Sequence, residues 1–204
     1  MFDVHAIAVV FSVYVVGVVV PGPNFVAVAH KAASTTVHEA LGTVVGIVLV
    51  NLFWASCAIM GVGIVFATFP WIALAVKLAG AGYLIWFGGR LIVKAGAQAA
   101  APETSRTGGM RRAIREGVAT NLVNPKSMAF FAAVFAAAAP PHVSMPTFLG
   151  MLGTVGVVAT TWYGLVAVLF ATPRVAARYR RHKAWVDRVC GSIIVALGIR
   201  QLAR

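Results

Sequence analysis

The sequence predicts an all-α, polytopic membrane protein with six transmembrane helices, and three observations carry that expectation. Of the 204 residues 60% are hydrophobic and only 11% charged, with a mean hydropathy of +0.89, well outside the usual composition of soluble domains. Charge is absent over residues 6–29, 40–76 and 127–173, stretches long enough for one or two crossings of a ~30 Å hydrocarbon core. The formal net charge of +12 is concentrated in two short polar stretches, 90–115 and 174–188. Their only aromatics are Tyr179 and Trp185, too few for a surface that stacks on bases, so nucleic acid is not expected as a partner.

The elements follow in order. Residues 6–29 carry neither charge nor His and form the first span; the run is too long for a secretory signal core and is preceded by Asp3 rather than Lys or Arg. The 37 uncharged residues of 40–76 exceed one helix, and Pro70 divides them into a second span, 40–66, and a third, 71–89, with Lys77 inside the third. The 47 residues of 127–173 are divided at Ala139-Pro140-Pro141-His142, giving a fourth span at 117–139 and a fifth at 145–171. The sixth, 184–203, is interrupted by Asp187, Arg188 and Arg200, and an interfacial helix is the alternative there.

Six spans place Lys31, 90–115 and 174–188 on one face with thirteen Lys or Arg, against Arg200 and Arg204 on the other. The positive-inside rule makes the basic loops cytoplasmic and both termini external. The small, polar stretch 94–109 reads as a flexible connection. The expected organisation is one transmembrane domain, 1–204, made of a three-helix half at 1–93, a linker at 94–116 and a second three-helix half at 117–204.

The halves resemble one another. Leu41 opens L-G-T-V-V-G and Leu152 opens L-G-T-V-G; Lys77-x-x-Gly80 with Gly88-x-Arg90 matches Arg188-x-x-Gly191 with Gly198-x-Arg200, at offsets of 111 drifting to 110. Three spans per half would invert the second copy, an arrangement typical of secondary transporters.

Two places break the apolar pattern at membrane depth. Pro21-Gly22-Pro23-Asn24 interrupts the first span, and Asn121-Leu122-Val123-Asn124-Pro125-Lys126 opens the fourth. Each proline removes a backbone donor, so freed carbonyls must find partners in protein or cavity water. Both breaks fall about 12 Å from the cytoplasmic ends of their spans at helical rise. Such a cluster suits a zwitterion: exposed amides and Lys126 for a carboxylate, carbonyls and Asn side chains for an ammonium. The alternative is a pair of structural kinks with Lys126 reaching to water, and Lys77 too could reach the outer interface.

Little else carries chemistry. Five acids and two cysteines are too few for most catalytic or metal constellations, so no enzyme, metal or cofactor is expected. Cys57 and Cys190 read as small packing residues. His30, His38 and Glu39 read as a solvated turn. Gly42, Gly46, Gly80, Gly82, Gly88 and Gly89 read as sites of close helix packing, which would also permit a homodimer.

P-G-P-N at 21–24, K-L-A-G-A-G-Y-L-I-W-F-G at 77–88 and N-L-V-N-P-K-S-M-A-F-F at 121–131, in this order, resemble the LysE/RhtB family of bacterial amino-acid exporters along essentially the whole chain. The resemblance implies export of a small amino acid or derivative across the plasma (inner) membrane, driven by the proton gradient. The family's motif positions fall on Pro21, Gly22 and Pro23, on Lys77, Gly80 and Tyr83, and on Asn121, Asn124, Pro125 and Lys126. Two departures stand out. Some relatives carry an acid in the fifth helix where this chain has Thr160, Thr161, Trp162 and Tyr163, leaving the proton carrier unassigned, and the segment after Phe131 is unusually Ala-rich. The expected substrate-binding set is Pro21, Gly22, Pro23, Asn24, Lys77, Asn121, Asn124, Pro125 and Lys126. Competing readings are a carrier or channel for an inorganic ion, and a non-transporting membrane subunit.

Overall fold

The structure is a computed structural model that describes the backbone of residues 3–95, 108–131 and 143–202. The side chains of 61–68, of Pro125 and of scattered positions within 70–93 and 173–202 lie outside that description. All regular structure among the described residues is helical.

Helix α1, Val4–Val19, starts at Asp3, whose carboxylate accepts from the Ala6 amide at 2.9 Å, satisfying one of the otherwise unpaired first-turn donors. It stops because Val20 and Gly22 each precede a proline and are held extended, as the proline ring requires of its neighbour. Helix α2, Pro23–Ser34, restarts with its proline at the first helical position, at 56° to α1. The sequence places a break here, and the two prolines produce it.

Helix α3, Val37–Thr68, and helix α4, Pro70–Val93, contain the second and third predicted spans. Helix α5 covers Gly109–Leu122, and helix α6 covers Pro125–Ala129. The linker expected over 94–116 is therefore shorter at its end: Gly109, at φ +75°, takes the left-handed conformation that glycine tolerates, and the chain is helical from there. Residues 96–107 of the linker and 132–142 of the fourth span lie outside the described residues. Helix α7, Met145–Phe170, matches the fifth span, and helix α8, Pro173–Leu202, extends the sixth by about three turns toward the basic end. Val37–Met60 and Met145–Phe170 are each long and apolar enough to cross a membrane, as is the bent α1/α2 pair taken together.

Two glycine seams organise the packing. Helices α3 and α5 run parallel: a Cβ at Gly46 would strike the Ile114 carbonyl, one at Gly117 would strike the Thr43 carbonyl, and one at Gly42 would lie 2.6 Å from Met110 Sδ. Helices α4 and α8, which pack most extensively on each other, cross antiparallel. A Cβ at Gly88 would lie 2.7 Å from the Gly191 carbonyl, and one at Gly191 2.7 Å from that of Gly88; one at Gly198 would lie 3.0 Å from the Ala81 carbonyl. Gly82 and Gly89, expected to pack closely, face open space instead. Each lies one residue, about 100°, round α4 from the seam residues Ala81 and Gly88, a distinction composition cannot carry.

Helix α1 packs along α7, pinned where the Asp3 amide donates to Thr147 Oγ1 at 3.0 Å. Helix α2 lies against both α3 and α7, its Phe25 contacting Trp162, Phe170 and Tyr179. Cys57, read as a packing residue, is exposed on the outside of α3; the Cys190 side chain lies outside the described residues.

Candidate functional site

The break between α1 and α2 and the break between α5 and α6 meet in the interior. Asn24, on the first turn of α2, donates to Asn121 Oδ1 at 2.9 Å and to Ser127 Oγ at 3.3 Å. Asn124 donates to Asn24 Oδ1 at 2.9 Å, and its own carbonyl oxygen caps α6 through the Lys126 amide at 3.0 Å. Asn121 donates to the Ile47 carbonyl at 2.8 Å and to Asn51 Oδ1 at 2.9 Å. Four amides from four helices form one network, and all four are buried. Buried amides are costly unless bonded; here each finds a partner, which makes a polar cluster tolerable at this depth and holds α2, α3, α5 and α6 in register.

Lys126 closes the other side. Its Nζ donates to the Val20 carbonyl at 2.5 Å, a carbonyl that the following prolines leave without a helical donor. A cation at the carboxyl end of α1 also complements that helix's dipole. Gly22 leaves room for this lysine: a Cβ there would lie 2.8 Å from Lys126 Cδ and would displace the side chain.

A small cavity sits against this cluster, bounded by Gly22, Asn51, Asn124, Lys126, Tyr14 and Tyr163 among others. Its volume is about 30 Å³, room for about two waters at ~10–15 Å³ each and far too little for an amino acid. Tyr14 stands beneath Phe130 and Phe131, with ring centroids 5.9 Å from both. Its hydroxyl is buried without a protein hydrogen-bond partner, as is Trp162 Nε1 on the neighbouring helix face. A Cβ at Gly17 would run into the Phe130 ring, so that ring already fills the space beside α1.

Of the residues expected from sequence, Asn24, Asn121, Asn124 and Lys126 come together directly, and Pro21, Gly22, Pro23 and Pro125 supply the backbone breaks that let them do so. The side chains of Lys77, Gly80 and Tyr83 lie outside the described residues. Sequence reasoning passed over Tyr14, Asn51, Ser127 and Tyr163. Asn51 left a signal, being the lone amide in the uncharged run 40–76.

Glu39 is a correction. Read from sequence as part of a solvated turn, it is buried: Oε1 accepts from the Gly109 amide at 2.8 Å, and Oε2 lies 3.8 Å from Lys31 Nζ with no hydrogen bond. The cause is that α3 starts at Val37 and turns Glu39 toward α2 and α5, whereas His30 and His38 are exposed as expected. Lys31 donates to Glu116 Oε2 at 2.7 Å, and Arg112 to Glu116 Oε1 at 2.9 Å. The Lys31 hydrogen bond, with help from Arg112, holds the Glu116 carboxyl below the usual glutamate range. Among the described residues no group of three or more His, Cys, Asp or Glu is placed to hold a metal ion.

Residues 15–204 match the family described as LysE type translocator. The threonine efflux proteins of Escherichia coli (strain K12) and Salmonella typhi are each 30% identical over 196 residues, covering 93% of this chain and 94% of theirs. The leucine efflux protein of Enterobacter sp. (strain 638) is 32% identical over 139 residues, 61% of each chain. No solved structure gives a significant match. With the family matched over nearly the whole chain and apolar helices long enough to cross a bilayer, the protein is an integral membrane member of the LysE type translocator family.

Proposed function

We propose that the protein is a secondary-active exporter of a small amino acid or derivative across the bacterial inner membrane, working by alternating access on the proton gradient. The observation that carries this reading is the meeting of two broken helices on a buried cluster of four amides and a lysine. Broken helices converging at membrane depth are where secondary transporters hold substrate. The efflux relatives support amino acids as the cargo, with threonine and leucine the first to test.

In this reading the substrate carboxylate meets Lys126 and the amides opened by the prolines, while the Asn24, Asn121 and Asn124 oxygens receive the ammonium. A cavity of about 30 Å³ belongs to a closed form, so loading must separate α2 from α6 and move Phe130 off Gly17. Six spans arranged as two inverted halves, 1–93 and 117–204, with the basic loops cytoplasmic, complete the proposal. The α4/α8 seam supports the repeat: Gly88 and its counterpart Gly198, at an offset of 110, and Gly191, the counterpart of Gly80 at 111, all lie in it.

Cells preloaded with dipeptides and expressing the protein should release one or a few amino acids selectively, with release abolished by an uncoupler. Lys126→Ala that reaches the membrane should lower efflux at least tenfold. Unchanged efflux by that variant would remove Lys126 from the site, and no selective release from the wild type would remove amino acids as cargo.

A further inference from the structure

Between α2, α3 and α5, at the basic end, lies a second and much larger concavity of about 610 Å³, bounded by His30, Lys31, Thr43, Arg112, Glu116 and Thr120. Its volume is in the range of small-molecule sites. It leads toward the amide cluster: on α2 the steps from Lys31 through Ala27 end at Asn24, and on α5 the step from Glu116 ends at Thr120, in the last turn before the break that carries Asn124. Steps of three or four residues keep to one helix face, so the α2 wall of the vestibule runs to the amides about 11 Å inward.

The charges here form an exchangeable set. Glu116 is shared by Lys31 and Arg112, at 2.7 and 2.9 Å. Buried Glu39 presents Oε2, without a hydrogen bond, 3.8 Å from the same lysine. A shift of about 1 Å brings that pair to the length of an ordinary charge-assisted bond, transferring Lys31 from Glu116 to Glu39. Glu116 is then open to an incoming ammonium, and Arg112, whose side chain is 67% exposed, to an incoming carboxylate. Lys31 and Arg112 balance Glu39 and Glu116, so when the Arg112–Glu116 pair also opens to admit the ligand, the charge stays balanced only if the ligand carries one charge of each sign.

We propose that this vestibule is a loading site for a zwitterionic, net-neutral amino acid, in which Lys31 moves from Glu116 to Glu39 as the substrate enters. The proposal rests on the export reading for the identity of its ligand, and it adds a site distinct from the central amide cluster.

Two measurements on inverted membrane vesicles test it. The first is uptake of radiolabelled threonine and leucine. Glu116→Gln should raise the half-saturating concentration at the basic face at least fivefold while leaving that at the opposite face, read by counterflow in right-side-out vesicles, unchanged. The second uses Thr120→Cys in a background of Cys57→Ala and Cys190→Ala. Labelling by a membrane-impermeant maleimide from the basic face should slow at least threefold with threonine or leucine present, and not with lysine or glutamate. Transport by the wild type, with no protection and an unchanged half-saturating concentration in Glu116→Gln, would overturn the loading site and leave the export reading standing. Protection without transport would do the reverse. Protection by lysine or glutamate equal to that by threonine would overturn the net-neutral specificity on which the exchange depends.

Discussion

Asn121 joins α5 to both α2 and α3: it accepts from Asn24 and donates to Ile47 and Asn51, with no exposed surface. Hydrogen bonds between membrane helices average about 0.6 kcal/mol, so losing three amounts to roughly 2 kcal/mol. Asn121→Leu should therefore lower stability by about that much in a detergent unfolding titration, and it should abolish efflux even where the protein still accumulates. A loss below about 0.5 kcal/mol would mean that the network relaxes around its missing member. Asn24, Asn121 and Asn124 were legible in the sequence because prolines flank them and break the apolar pattern. Asn51, Tyr14 and Tyr163 sit in unbroken helix, where only three-dimensional packing decides which face meets the cavity. Glu39 was misread for a related reason: the uncharged run opens at 40 but α3 already begins at Val37, so the carboxylate lies on the helix, on its inward face, and not in the turn before it.

Among the elements, the parallel contact of α3 with α5 depends on the lack of a side chain at Gly46 and Gly117, each of which lies against backbone of the other helix. Backbone has no rotamer with which to give way, so overpacking there costs about 1–3 kcal/mol. Gly117→Ala should destabilise by this amount and depress efflux, because the same seam sets the height of Asn121 against Ile47 and Asn51. Gly89→Ala is the counterpart. Its Cβ enters open space within a helix, where alanine is favoured over glycine by up to about 1 kcal/mol, and thermal stability should hold or rise. Equal losses in both variants would refute the seam. The sequence announced helices and their breaks well, since uncharged length and proline are one-dimensional signals. It did not separate packing glycines from exposed ones, because in a membrane chain both faces of a helix are apolar and periodicity loses its contrast.

At the scale of the molecule, neither half of the chain is closed on itself. Helix α1 lies along α7, α3 along α5, and α4 along α8, so each principal helix of the first half takes its main neighbour from the second. The 110–111 offset is a likeness between strings; which helices meet across the halves is read from the packing itself. Two surfaces that meet backbone to backbone along a glycine seam can be assembled from separate pieces, because each piece already presents what the other needs. If residues 1–95 and 108–204 are made as two polypeptides in one cell, they should find one another, co-purify and restore amino-acid efflux, whereas either fragment alone should be degraded. Gly191→Leu in the second fragment should prevent the pairing, since a branched side chain would press on the Gly88 carbonyl. On this view the connecting peptide sets how often the halves meet and leaves their fit to the glycine seam itself.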